Sequence, residues 1–354
     1  MSIYISLLLF LLFYGISPYW DSLKLTKRKR RLYFLFVILV LVIGLRNPLY
    51  WIDTAAYVSS FIDSKTLYTF SFSEQSALYT EKGYFLLCVF IRTLTSNTFV
   101  YLTIIGLLSM SFLFKSVRKL SILPFLSLCI YIPRYMLSRD MNQMRAGLAI
   151  SILMAFTYLL YYKKYKDDFK YIVVCWIGSF IHLSLLAAIP IVLLNHLRIN
   201  KKIIYLGILS AFFFSAFFKE QILDLVSQTE FIKEMAYDYV NKEGGSEKAY
   251  ANDLTNPMIY YQCLILFVYT YMEEKLAPLS RYYYIFRNGY FMSTIILIVL
   301  CQYAILAGRV STLFATYEIF MIPIIIKGIP NQYKVVSYLA LIAPLLVFFV
   351  YNIH

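Results

Sequence analysis

The chain has 354 residues, 61% of them hydrophobic and only 15% charged, with a mean hydropathy of +0.68. That composition cannot be wrapped around one soluble core, which excludes a soluble globular enzyme. The net charge of +14 does not make a nucleic-acid binder, because the basic residues sit in short segments between apolar runs instead of covering one face of a module.

In chain order, the first apolar run, residues 3–19, is followed by the basic cluster Lys24, Lys27, Arg28, Lys29, Arg30 and Arg31. This is the reverse of a cleavable signal peptide and predicts a retained first span with its N-terminus outside. A hydrocarbon layer about 30 Å thick takes about 20 apolar residues per helix. With the first basic cluster in the cytoplasm, further spans are predicted at 32–46, 97–114, 120–137, 146–162, 203–218, 258–271, 289–307, 310–327 and 335–351. Ten crossings place both termini outside and make residues 1–354 one all-α transmembrane domain. The alternation of a β-barrel is absent, since 203–218 is continuously apolar. Two stretches fit poorly as simple spans: 84–94 is short, and 171–197 has basic segments at both ends. Both are expected to be broken or re-entrant helices, which are tolerated at membrane depth only where protein or a water-filled cavity covers them. Loops assigned to the cytoplasm carry 21 Lys and Arg against five acidic residues, as the positive-inside rule requires.

Two outer segments are long, 46–82 and 219–257. The second has Ile222, Leu225, Val226, Ile232 and Val240 at near-helical spacing, then Gly244-Gly245-Ser246, and reads as an amphipathic helix over a cavity mouth followed by a flexible stretch. The 34 Tyr and 29 Phe are mostly core and interface belts, with Trp51, Tyr57, Tyr79, Tyr237 and Tyr239 in outer loops where a sugar can stack. Five cysteines lie inside apolar runs without a CxxC, so neither a disulfide framework nor zinc is implied. No Asp-x-Asp stands in an outer loop, and no metal or cofactor is expected.

The basic residues on the outer side close to the membrane are arginines: Arg46, Arg92, Arg134, Arg139, Arg145 and Arg309. Their planar forks grip phosphate bidentately, although for Arg92 and Arg134 snorkelling to lipid headgroups or capping of carbonyls is the better account. Arg145 and Arg309 are each expected to begin an apolar helix, where backbone N–H groups also favour an anion. Asn142 and Arg145 fall one helical turn apart, ahead of the small residues Ala146, Gly147 and Ala149. His182 is the one His inside an apolar run, at the expected break in 171–197. It reads either as a core hydrogen-bonding residue or as a reactive group.

Gly44-Leu45-Arg46, Asp53-Thr54 with Tyr57, Glu81-Lys82-Gly83-Tyr84, Asn142 with Arg145-Ala146-Gly147-Leu148-Ala149, Phe180-Ile181-His182-Leu183-Ser184, and Arg309 before Leu313-Phe314 resemble, in order, the signposts of the EpsG family. That family comprises Wzy-type polymerases of O-antigen and exopolysaccharide. The family's usual Arg-Gln is Arg145-Ala146 here, with Gln143 upstream. The resemblance implies a GT-C-like membrane glycosyltransferase in a bacterial inner membrane, joining undecaprenyl-diphosphate-linked oligosaccharides on the periplasmic side without a metal or cofactor. Donor, acceptor and membrane lipids are the implied partners, with a chain-length regulator and no nucleic acid. Under this reading Asp53 or His182 is the general base. Arg145, Arg46, Arg139 and Arg309 meet the pyrophosphate with Asn142, while Tyr57 and Glu81 bind sugar or orient an arginine. A flippase, an O-antigen ligase and a sugar O-acyltransferase remain alternatives. The ligase shares the leaving group and differs in acceptor.

Overall fold

The computed structural model describes residues 6, 9, 25–71, 81–197, 199–218, 221, 253–302 and 304–352. Most of the predicted first span and most of the 219–257 loop, with Tyr237 and Tyr239, lie outside the described residues, as does Tyr79. The described residues are helical, with no strand among them.

Chain contacts divide the protein into two compact units, residues 1–189 with 322–354, and residues 190–321. In the first unit, α1 (Leu25–Gly44), α2 (Ile52–Asp63), α3 (Lys82–Leu94), α4 (Thr98–Leu120) and α5 (Pro124–Tyr131) precede a π-helical segment, Ile132–Asp140. Then come α6 (Met144–Phe156) and α7 (Tyr165–Ser179), followed by a 3-10 turn at Leu183–Ala188. Side-chain pairs fix the directions. Phe36 meets Phe114 edge to face at 5.1 Å and Arg118 donates to the Tyr33 hydroxyl at 3.0 Å, so α1 and α4 are antiparallel. Ser109 pairs with Ser151 at 3.2 Å and Lys115 lies over the Phe156 ring, so α4 and α6 run the same way. Arg28, Lys29, Lys115, Arg118 and Lys119 therefore gather at one end, and Arg46, Asp53 and Arg145 at the other, the separation expected from the charge pattern.

In the second unit are α8 (Ile191–His196), α9 (Lys201–Phe217), α10 (Pro257–Tyr271), α11 (Glu273–Leu276), α12 (Tyr283–Val299), α13 (Ala304–Ala315) and the start of α14 (Glu318–Gly328). Buried Arg287 pairs with Glu273 at 2.9 Å and donates to the Ile199 carbonyl, while Lys201 pairs with Glu274 at 3.6 Å. These residues come from loops that the sequence assigns to one side. The last helix, α15 (Lys334–Tyr351), belongs to the first unit and packs on the π-helical segment. There the Asn352 amide donates to the Pro133 carbonyl at 2.9 Å and Arg134 lies 4.5 Å from the Phe348 ring.

By length and composition, three helices among the described residues can cross a membrane: Thr98–Leu120, Met144–Tyr161 and Asn331–Tyr351. Counted as one span, the pair Leu306–Ala315 and Glu318–Gly328, bent by 45°, makes a fourth. Helices α9, α10 and α12 are apolar but have 15 to 17 residues. The two irregular stretches differ. Residues 171–197 are broken, with α7 ending at Ser179 and the 3-10 turn beginning at Leu183. Residues 84–94 lie in one unbroken helix of 13 residues, about 20 Å long at 1.5 Å per residue.

Candidate functional site

Glu81 stands at the N-cap of α3 with extended backbone, yet its side chain makes no cap hydrogen bond. Its carboxylate reaches across the unit instead. One oxygen pairs with Arg145 Nη1; the other lies 3.2 Å from His182 Nδ1 and accepts the Leu183 N–H at 3.3 Å. Arg145 is the second residue of α6, and its Nε donates to the Tyr57 hydroxyl at 3.1 Å. Four residues from four sequence segments thus meet at the end of the unit assigned to the outer side. Glu81 and His182 are 8% and 10% exposed in their side chains and Arg145 16%, so the group is nearly closed and its ion pair sits in a medium where charge pairing is stronger than in water.

Local structure explains why the residues meet. Chain extension at His182 between α7 and the 3-10 turn exposes the Phe180 carbonyl, which accepts the Tyr84 N–H at 3.1 Å. The N-terminus of α3 sits so close to this break that a Cβ on Gly83 would lie 2.6 Å from the Phe180 oxygen and 2.9 Å from its carbonyl carbon. Both are backbone atoms, so only glycine lets the two segments dock. Below them, the Tyr84 and Tyr101 hydroxyls bond at 2.9 Å and Phe61 stacks on Tyr101 at 4.1 Å.

A second group carries Arg46, Asp53 and Asn142. Helix α2 has no side-chain cap of its own at Trp51. Asn142 supplies one from a distant segment, its Oδ1 accepting the Asp53 N–H at 2.9 Å, while Thr54 Oγ1 donates to the Met141 carbonyl at 2.7 Å. Arg46 is 1% exposed and donates to the Ile43 carbonyl and to Thr54 Oγ1 at 3.3 Å. These contacts tie the end of α1, the start of α2 and the turn before α6 together, and Tyr57, on the same α2, leads from there to Arg145.

Three expectations shift. Asn142 precedes α6 in a turn and is not on its face, because the chain leaves the π-helical segment at Asp140. Arg309 belongs to the second unit and lies inside α13, half-buried, not at its start; the helix-forming residues Ala304, Leu306 and Ala307 carry the helix upstream of it. Arg139 is buried in the π-helical segment with its guanidinium 4.8 Å from the Tyr135 ring.

Beside Arg139 is a group the sequence reading did not single out. Asp140 is 3% exposed and accepts from Ser109 and from the Tyr131 hydroxyl. A Cβ on Gly147 would lie 3.0 Å from its Oδ1, so the small residues after Arg145 admit this carboxylate. The available signal was an acid in the middle of apolar helices, where an ionisable group needs partners.

Chemically, Glu81 fixes the imidazole: accepting at Nδ1, it favours the tautomer with its proton there and its basic nitrogen at Nε2. Arg145 is anchored through Nη1 and Nε, and its Nη2 makes no hydrogen bond to a described residue. The set pairs a proton acceptor with an oriented cation at one site.

The family model described as the EpsG family matches residues 29–354, a range that includes each residue of this site. A relative named amylovoran biosynthesis protein AmsC, from Erwinia amylovora, is 22% identical over 306 residues, 83% of this chain and 78% of the relative. No solved structure matches the chain. With nearly the whole sequence under one family model, this chain belongs to the EpsG family.

Proposed function

We propose that this membrane protein is a polymerase of surface polysaccharide, a glycosyltransferase that joins undecaprenyl-diphosphate-linked oligosaccharide units on the periplasmic side of a bacterial inner membrane. The observation that carries the reading is the single carboxylate, Glu81, that holds both His182 and Arg145. Family membership and the relative's name support the polysaccharide assignment.

In the proposed reaction the bond between the anomeric carbon of the donor chain and its pyrophosphate oxygen breaks. A bond from that carbon to the acceptor hydroxyl oxygen forms, the hydroxyl proton passes to His182 Nε2, and undecaprenyl diphosphate leaves. Glu81 stabilises the imidazolium, and Arg145 meets the negative charge of the departing pyrophosphate through Nη2. Of the two base candidates, His182 is the one held by Glu81 together with Arg145, so it is assigned the base and Asp53 a substrate contact. Arg46, Arg139 and Asn142 are enclosed or engaged with backbone and are assigned positioning roles, and Arg309 remains a phosphate ligand in the second unit. Tyr57 aligns Arg145. Ten crossings, a GT-C-like arrangement, outer termini, metal independence and a chain-length regulator as partner belong to the same proposal.

The test is the surface-polysaccharide banding pattern of cells lacking the gene and complemented with wild type, Arg145→Ala or His182→Ala, at matched protein level. Collapse of the ladder to core plus one repeat unit, rescued by wild type and by neither variant, is the expected result. An unchanged ladder with both variants would remove the assigned roles. Core without any repeat in the deletion strain would point to a ligase or flippase, and a full ladder lacking an acyl group to an acyltransferase.

A further inference from the structure

At the end of the first unit opposite Glu81, an open cavity of about 560 Å³ lies between α1 and α4. Arg28 and Lys29 from α1 and Lys115, Arg118 and Lys119 from α4 line it, and no Asp or Glu is among its described lining residues. One turn deeper its wall is apolar, formed by Leu32, Phe36 and Phe114. A positive-inside bias accounts for cations at this end of the protein. It does not account for five of them converging on one concavity with a greasy floor. Three are also held in place: Arg118 by the Tyr33 hydroxyl, Lys115 4.5 Å over Phe156 and Lys119 2.8 Å over Tyr158. Preorganised cations lose less conformational freedom when an anion arrives.

The size falls within the roughly 300–1,000 Å³ of small-molecule sites, and the polarity is graded from charged mouth to apolar floor. A phosphate attached to hydrocarbon matches both halves, whereas a soluble anion would leave the floor unused. We infer that this cavity is a binding site for an anionic phospholipid of the cytoplasmic leaflet, with phosphate among the five cations and the first acyl carbons against Leu32, Phe36 and Phe114. The inference is independent of the polymerase reading, since it uses residues at the other end of the unit.

Native mass spectrometry of the purified full-length protein, with phosphatidylglycerol, cardiolipin or phosphatidylcholine of matched chains added, tests it. Wild type is expected to retain the anionic lipids at least tenfold over phosphatidylcholine. The triple variant Lys29→Gln, Arg118→Gln, Lys119→Gln should lose that preference. Ser111→Trp, which puts an indole into the cavity and keeps all five cations, should lose it too, and it decides the matter if the triple variant does not fold. Equal retention by Ser111→Trp would mean diffuse surface attraction and overturn the site. Displacement of the lipid by millimolar inorganic phosphate would identify a soluble anion as the ligand and overturn the lipid assignment.

Discussion

Glu81 answers to two partners at once, so its removal has two separable effects. Glu81→Gln keeps a group able to accept the Leu183 N–H but leaves Arg145 without its counter-charge in a nearly closed site, at a cost of about 3 kcal/mol. It also releases the His182 tautomer. The expected outcome is a lower Tm in detergent and a 10- to 100-fold loss of polymer. Adding Arg145→Met to Glu81→Gln removes the unpaired charge, so Tm should return while polymer stays at least as low. Recovery of polymer in the double variant would make the pair structural only. The sequence marked Glu81, Arg145 and His182 as lying on one side, by residue type and charge pattern. It did not show that they touch, because they are 64 and 101 residues apart and no periodicity encodes a contact between separate helices. Asp140 was missed for a related reason: its partners Ser109 and Tyr131 are ordinary in an apolar helix until the fold turns them toward a carboxylate.

At the scale of elements, the docking of α3 on the break after α7 is the joint on which the site depends. Gly83→Ala would push a methyl group into the Phe180 carbonyl, and since backbone cannot yield as a side-chain end does, a loss of about 1–3 kcal/mol is expected, with polymer falling in step. Gly308→Ala is the matched control: a Cβ there meets nothing within 4 Å, and the helix gains propensity. If Tm of the two variants moved equally, the close approach at Gly83 would not matter. Sequence reading located a break within 171–197 from its length and basic flanks, and the structure places it at 180–182. The helical start expected at Arg309 was wrong because an apolar, helix-forming run gives no sign of where a helix begins unless a cap interrupts it.

For the whole molecule, charge sorting was the most legible property, since it depends on composition at helix ends and needs no tertiary contact. It predicts a labelling pattern in a version with the five cysteines replaced. A single cysteine at exposed Ser96, between α3 and α4, should react with a membrane-impermeant maleimide in spheroplasts. One at exposed Lys164, before α7, should react only after lysis. The opposite pattern would invert the topology and withdraw the outer-site reading. Span count was less legible, because the apolar runs counted as crossings resolve into helices of unequal length, several shorter than a bilayer.

The pairing of α15 with the π-helical segment bears on biogenesis. The Pro133 carbonyl and its Asn352 partner are 219 residues apart, and the whole second unit is translated between them. At the ribosome, the segment that leads into Asp140 and Arg145 must wait, inserted but uncovered, until residues 334–352 emerge. A nascent chain stalled before that point presents a half-closed first unit to membrane quality control. Ribosome pausing or premature stops ahead of residue 334 should therefore yield protein that is inserted and then rapidly degraded.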